Sequence, residues 1–562
     1  MKKKKKKPKL DPTEQKRVRA QRQHAREIRK VFTGIGFSRV PEICNKEITF
    51  KGTTSDIDDF FVYENIFVFI ERSLSADVSA HLKKKYVLYQ KINSAPVEFI
   101  SYCRTKFSDF PQNPKYSPDQ CFVKVLYCVP SDIKASLRAE LEGMYFFDLV
   151  AQKYFSKLVT NIRLSARYEL FAFFDLGYKN VADGVLVPSG VPSDPYDGSV
   201  LPEASSSFPS GYKVVSFYVD PEALLTRAYV LRNEGWRDTA DVYQRIISKK
   251  KIDNIRQYLC TEHRVFVNNI VVTLPSSSKV LDSKDQPVSP SNLTKTSPAR
   301  VQIPREFNSV GIIDGQHRIF SYHEGGANEA EISILRKRQN LLATGIIYPA
   351  NISKQTQVQF EAKLFLEINS TQTSARSDLK QAIALLLTPF SEISIAKRVV
   401  NHMNEHGTLA GEFVRYSFEK DKIKTTSIVS YGVRNVVKFS GPDSLFAVWS
   451  NADKDKVHTD ADVAELYVKY CAAQINFMLS ALKENLPKEQ WTTNKKIVGR
   501  ALSTTVINGM IVCLRRVVEE KKERSFDIYK TKLKNVSDFK FGKYKSSQYG
   551  SLGRDLFDKY FK

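Results

Sequence analysis

Val310-Gly311-Ile312-Ile313-Asp314-Gly315-Gln316-His317-Arg318-Ile319-Phe320 is the stretch on which the fold turns. An apolar run stops at Asp314-Gly315, and a short amphipathic segment begins at Ile319. This order predicts a strand, a tight turn at Gly315 and a helix start. Amides at such a start stabilise a phosphate or sulfate through free N–H groups and the helix dipole. Arg318 has the geometry for bidentate phosphate binding. His317 would donate a hydrogen bond or shuttle a proton, and Asp314 would hold a metal ion or accept a proton. A capping Asp, a turn Gly and a surface Arg explain the same letters more plainly, because short motifs recur by chance.

Working outward, strands and helices alternate on both sides of this turn. Upstream lie a strand at Val214–Val219, a helix at Pro221–Arg232, a helix at Lys249–Cys260 and a strand at Phe266–Leu274. In the second helix Ile252, Ile255 and Leu259 share a face. Downstream come a strand at Leu342–Tyr348 and helices at Ser353–Ile368 and Ser377–Leu387. Helical patterns dominate from about residue 391, including Ala461–Leu482 and Thr504–Glu520. Residues 183–211, rich in Pro, Ser, Gly and Asp, read as a linker. Residues 275–300 hold seven serines and four prolines and read as a disordered insertion.

Nearer the N-terminus, residues 1–12 read as a disordered basic arm, followed by a helix to Phe32 that Gly34 and Gly36 end. Residues 37–72 read as strands and turns, 77–92 as a basic helix, 121–129 as a strand and 135–178 as long helices. There is no internal repeat. The expected fold class is α/β and multidomain. A first domain spans 13–135, a helical connector 136–182, the linker 183–211, a second domain 212–390, and a helical C-terminal region 391–562.

With 562 residues and 42% hydrophobic composition the chain buries several cores, which excludes wholesale disorder. No run of 18 apolar residues suggests a membrane span, and Met1 is followed by six lysines rather than a signal-peptide apolar region. Seven cysteines without a CxxC pair argue against a disulfide framework or a Cys-rich zinc site, so a cytoplasmic setting is expected. Lys plus Arg is 86 against 61 Asp plus Glu, a net charge of +25. Residues 1–30 carry 14 basic and 3 acidic residues, so +11 of it sits there. This imbalance points to a polyanion, with nucleic acid ahead of a membrane surface. A merely solubilising tail is the plainer reading.

Asp314-Gly315-Gln316-His317-Arg318 resembles the signature of the DGQHR-domain family, which includes DndB-like proteins. The resemblance extends to Tyr243-Gln244-Arg245 with the helix and strand after it, and to Phe365-Leu366-Glu367-Ile368-Asn369 with Thr371-Gln372. It covers about residues 212–390 and implies a ParB/sulfiredoxin-like fold whose turn binds nucleotide phosphates. Gln316 stands where sulfiredoxins carry Cys, which puts thiol-repair chemistry in doubt. The resemblance makes Gly315, Gln316, His317 and Arg318 phosphate-binding candidates with Asp314 beside them. Arg245 is a weaker one, and local capping explains Asn369 and Gln372 equally well. It implies a bacterial DNA-modification or phage-defence setting, ATP or another nucleotide as cofactor, and other proteins of such a system as partners.

A second motif lies at residues 55–73. Two apolar runs flank Glu64-Asn65, a hairpin signal, and Glu71 follows Asp58 by thirteen residues. Adjacent strands would bring the two carboxylates together, where they would bind Mg²⁺ and position water for phosphodiester cleavage. The segment 14–130 resembles the core of PD-(D/E)XK nucleases. That family's Glu-x-Lys reads Glu71-Arg72-Ser73 here, so its lysine is missing. Strand alternation puts Arg72 on the opposite face. Lys83, Lys84 or Lys85 on the next helix would have to substitute, and His81 beside them reads as a surface residue. An active nuclease and a degenerate one retained for DNA binding or packing both remain open.

Lys16, Arg17, Arg19, Arg22 and Arg26 spread over more than one face of the first helix and, with Lys83, Lys84 and Lys85, are candidate contacts to the DNA backbone. The leading expectation is nucleotide-dependent action on DNA. The alternatives are an active Mg²⁺-dependent endonuclease and a non-enzymatic DNA-binding regulator; oligomer formation is compatible with each.

Overall fold

The computed structural model describes residues 11–562 apart from 75–77, 113, 134, 232–235, 237–246, 373–376 and 417–418. The expected disordered arm therefore lies almost wholly outside the described residues, as does Arg245. Two compact units emerge, residues 1–361 and 362–562.

The first unit opens with α1 (Pro12–Gly34), β1 (Ser38–Arg39), β2 (Lys46–Phe50), β3 (Thr53–Ile57), β4 (Asp59–Tyr63) and β5 (Ile66–Arg72). The hairpin is as expected: β4 and β5 are antiparallel, with Tyr63 opposite Ile66 across Glu64-Asn65. Glu64 takes a left-handed backbone (φ 53°). The buried Asn65 side chain donates to the carbonyls of Gln120 and Asn180 and accepts from the Ala182 amide.

Next come α2 (Val78–Ser94), α3 (Pro96–Lys106), β6 (Phe122–Cys128), α4 (Ala135–Glu140), β7 (Tyr145–Phe147), α5 (Leu149–Ile162) and α6 (Arg167–Phe173). The segment expected to be long helices thus contains a strand. At three residues, β7 is too short for a period to show, yet it pairs in parallel with β6. One sheet runs in the order β1-β4-β5-β6-β7. Alternation gives it two apolar faces. Phe61, Val68, Ile70 and Leu126 share a core with Ile28 and Phe32 of α1 and Phe155 of α5. Phe60, Phe67, Phe69 and Tyr127 share another with Leu82 and Tyr89 of α2 and Phe99 of α3.

The remainder of this unit holds β8 (Ser193–Val200), α7 (Glu203–Ser206), β9 (Lys213–Val219), α8 (Pro221–Arg227), β10 (Ala228–Tyr229) and α9 (Lys249–Glu262). It continues with β11 (Ile270–Leu274), β12 (Lys279–Leu281), β13 (Ser297–Pro304), β14 (Val310–Asp314), α10 (Gln316–Phe320), α11 (Glu329–Arg338), β15 (Leu341–Ile347) and, up to Glu361, the first half of α12 (Lys354–Gln372). The second sheet runs β10-β14-β11-β15-β9-β8-β13-β12.

Three expectations are corrected here. The stretch 183–211 is not simply a linker, because β8 lies in it, and 275–300 is not disordered, because β12 and the start of β13 do. β8 and β13 pair along their whole length, from Ser193 opposite Pro304 to Val200 opposite Ser297. Pairing satisfies the backbone, so only every second side chain must be apolar; Ala299, Val301 and Ile303 are buried while Arg300 and Gln302 between them are not. The helix expected to reach Arg232 ends at Arg227, and Ala228–Tyr229 pair in parallel with β14.

The second unit is helical, as expected from residue 391 on. It comprises α13 (Ser377–Leu387), α14 (Glu392–Glu405), α15 (Arg434–Val437), α16 (Ala461–Glu484), α17 (Thr504–Glu519), α18 (Phe526–Lys532) and α19 (Tyr549–Tyr560). Val399, Met403, Ile475, Leu479, Met510 and Leu514 lie in its core. No helix among the described residues is long and apolar enough to cross a membrane.

Candidate active site

Asp58 and Glu71 stand at the ends of the paired strands, on the sheet face that α2 covers. The Lys85 ammonium of α2 lies 3.1 Å from Glu71 Oε2 and 2.6 Å from Asp56 Oδ1. The buried Tyr89 hydroxyl donates to Glu71 Oε2 at 3.1 Å, and His81 Nε2 lies 3.7 Å from Oε1. Burial, with the nearby Asp58 charge, raises the Glu71 carboxyl to about 7. Burial opposes charge on Lys85, but Glu71 and Asp56 hold its ammonium above the ordinary value. Burial and the Lys85 charge lower His81, whose Nδ1 is 2.9 Å from the Tyr127 hydroxyl. His81, expected to be a surface residue, is a half-buried member of this group.

Lys85 thus separates from its neighbours. Lys83 is exposed and pairs with Glu140 at 2.9 Å, and Lys84 is exposed. Lys85 is 7% exposed, so the structure corrects its expected place as a surface contact to nucleic acid. The sequence holds the signal: Leu82, Lys85, Tyr89 and Ile92 recur at helical spacing, and all four are buried. A lysine kept on an apolar face needs a carboxylate within reach.

Arg72 lies mainly on the other face, as alternation requires. Its Nε is 3.0 Å from the fully buried Asp59. Arg29 of α1 and Arg39 of β1 meet the same carboxylate at 2.8 and 2.7 Å. Yet Arg72 also reaches back to Asp58: its amide donates to Oδ2 at 2.7 Å and its Nη2 to Oδ1 at 3.2 Å. Ser73, in the position of the missing lysine, is buried.

On α1, Arg19, Arg22 and Arg26 are exposed and line a concavity of about 790 Å³ together with Gln15, Gln23 and Glu27. Lys16 and Arg17 are exposed outside it, and Arg17 pairs with Glu14 at 3.2 Å.

The Asp314 turn is built as the sequence indicates. Gly315 has φ 100°, a left-handed backbone that a side chain resists, and it precedes the five-residue α10. Arg318 Nη2 is 2.7 Å from Asp314 Oδ2, so these two candidates neutralise each other. The Ser248 amide donates to His317 Nε2 at 3.1 Å. Because an amide only donates, Nε2 is the acceptor in this contact. His317 thereby ties the turn to the start of α9. Gln316 opens α10 beside it. Asn369 donates to the Phe365 carbonyl one turn back in its own helix at 2.8 Å, a bond inside the helix rather than a cap, while the Gln372 side chain lies outside the described residues.

Two groups escaped the sequence reading. Arg256 and Arg336 clamp the chain after α10. Arg256 donates to the carbonyls of Ser321 and His323, Arg336 to that of Tyr322, and both pair with Glu329. At the other end of β14, Glu361 is fully enclosed and accepts hydrogen bonds from Thr273 and Tyr348 at 2.7 Å and from Tyr229. Burial raises its carboxyl. Gly311 permits this approach, since a Cβ there would lie 2.3 Å from Thr273 Oγ1.

No family model, curated protein or solved structure matches the chain. Among the described residues no group of three or more His, Cys, Asp or Glu is placed to share a metal ion.

Proposed function

We propose that this chain is a DNA-associated protein that hydrolyses phosphodiester bonds at Asp58, Glu71 and Lys85, in a bacterial modification or phage-defence setting. One observation carries this reading. The cation that Glu71-Arg72-Ser73 lacks is supplied from α2, with Lys85 Nζ 3.1 Å from Glu71. Two carboxylates on one sheet face form an oxygen donor set that suits Mg²⁺. Asp58 and Glu71 would hold the ion, which when bound stabilises charge on the phosphodiester. Lys85, itself buried, would place a positive charge beside a phosphodiester held at Glu71, where such a charge acts strongly once water is excluded. Tyr89 orients Glu71 by its hydrogen bond. Arg72 must release Asp58 before that carboxylate takes up a ligand.

The test is nicking of supercoiled plasmid with and without Mg²⁺ by wild type and by Asp58→Ala, Glu71→Ala and Lys85→Ala. Loss in all three supports the reading; cleavage that survives them comes from elsewhere.

The Arg72 contact to Asp58 favours a second reading, a DNA-binding protein that does not cleave. Binding that persists without Mg²⁺ or cleavage would support it. On either reading we propose the Asp314–Arg318 turn as a phosphate-binding element for ATP, another nucleotide or DNA. Gly315 clears space there, and Arg318 would exchange Asp314 for phosphate. Calorimetric titration of ATP, CTP and GTP tests it, with oligomeric state and partner proteins followed in the same preparations.

A further inference from the structure

We propose that one face of α1, formed by Arg19, Arg22 and Arg26, is a rail for the backbone of a DNA strand and leads it toward the Asp58–Glu71 site. This rests on the phosphodiester reading of that site.

The three arginines follow one another at spacings of three and four, which places them within roughly 60° of one another around the helix. They point away from the buried side of α1, which consists of His24, Ala25, Ile28, Val31 and Phe32. All three are exposed. Among the described residues no carboxylate pairs with any of them, whereas the arginines nearest the sheet are tied down: Arg29, Arg39 and Arg72 all meet Asp59. Three unpaired guanidinium groups on one exposed helix face, with the Glu27 carboxylate beside them, form a surface for a polyanion.

Spacing favours a nucleic-acid strand. At about 1.5 Å rise per residue, Arg19 to Arg26 spans about 10.5 Å. A duplex strand carries one phosphate per about 3.4 Å of axis, so the face covers about three phosphates. The direction follows from Arg29, one turn beyond Arg26 at the edge of the same face. It bonds Asp59 at 2.8 Å, and Asp59 is the chain neighbour of Asp58 and shares Arg72 with it. A strand laid on the rail therefore reaches the strand ends on the sheet face opposite the carboxylates and has only to pass round those ends, where Arg72 contacts both Asp59 and Asp58, to meet them.

The test compares Arg22→Ala/Arg26→Ala with the charge-matched Lys495→Ala/Lys496→Ala, two exposed lysines of the second unit. The probe is a fluorescent 20-base-pair duplex titrated across a salt series without Mg²⁺. At about 0.9 counterions per phosphate, losing two rail contacts should reduce the log–log salt slope by about 1.8. The control pair should reduce it by less than about 0.5. Arg22→Lys/Arg26→Lys should keep most of the slope, because the charge remains. Equal slope losses in the two alanine pairs would overturn the rail and leave a diffuse basic surface. Rail-dependent binding without any Mg²⁺-dependent cleavage would uphold the rail while sinking the nuclease reading, so the two failures are distinguishable.

Discussion

Replacing Glu71 by Gln removes the carboxyl that the fold holds protonated near neutrality. Its titration is raised from 4.5 to about 7 by burial and by the neighbouring Asp58 charge. Between those two values the folded protein keeps a proton that the unfolded chain has released. Stability from this group is therefore full below pH 4.5 and is lost as pH rises through 7. A displacement of about 2.5 units at about 1.4 kcal/mol each amounts to about 3 kcal/mol, most of it lost between pH 5 and 8. Glu71→Gln should abolish that loss, so the variant should gain on wild type by 2–3 kcal/mol as pH rises from 5 to 8. Urea unfolding of the two proteins, followed by intrinsic fluorescence at several pH values, measures it. Parallel profiles would refute the claim that Glu71 is the group held protonated. The same linkage makes Mg²⁺ uptake rise through pH 7, since the ion must displace that proton.

Lys85→Ala leaves Glu71 without its buried cation, so its carboxyl should titrate higher still and any cleavage should fall by at least tenfold in plasmid nicking assays. Asp59→Ala strands three arginines around an emptied site and should cost about 3–5 kcal/mol in urea unfolding. Ser73→Lys places a long cation at a buried position already served by Lys85; it should fail to raise nicking and should lower the melting temperature. Arg318→Ala should weaken phosphate binding at the turn by ten- to a hundredfold in calorimetry, from a charge-assisted bond of about 1.5–3 kcal/mol. Unchanged affinity would leave Arg318 as the partner of Asp314 alone.

Much of the site was legible because strand periodicity is strict. Two apolar runs around Glu64-Asn65 fix the hairpin, and alternation then assigns Glu71 to the face opposite Arg72. Lys85 was only half legible. Three consecutive lysines point in three directions, and the helical phase set by Leu82, Tyr89 and Ile92 selects the buried one. Arg72 reaching around to Asp58 was not legible, because a guanidinium is long enough to serve both sides of a strand end. The strands at Ser193–Val200 and Ser297–Pro304 were hidden by their composition: each supplies the other's hydrogen bonds, so neither needs a continuous apolar run. Ala228–Tyr229 and Tyr145–Phe147 are too short to show any period. The pairing of Arg318 with Asp314 was not legible, because Asp314 ends a strand and Arg318 lies on the helix after it, so helical spacing does not carry across the left-handed turn at Gly315.

The most direct measurement is the rate of supercoiled plasmid nicking by the full chain in Mg²⁺ at pH 8, set against Lys85→Ala. Nicking that needs Mg²⁺ and collapses in the variant is the predicted result. No nicking by the wild type, or equal nicking by both proteins, would contradict the assignment of Asp58, Glu71 and Lys85 as a phosphodiester-cleaving site.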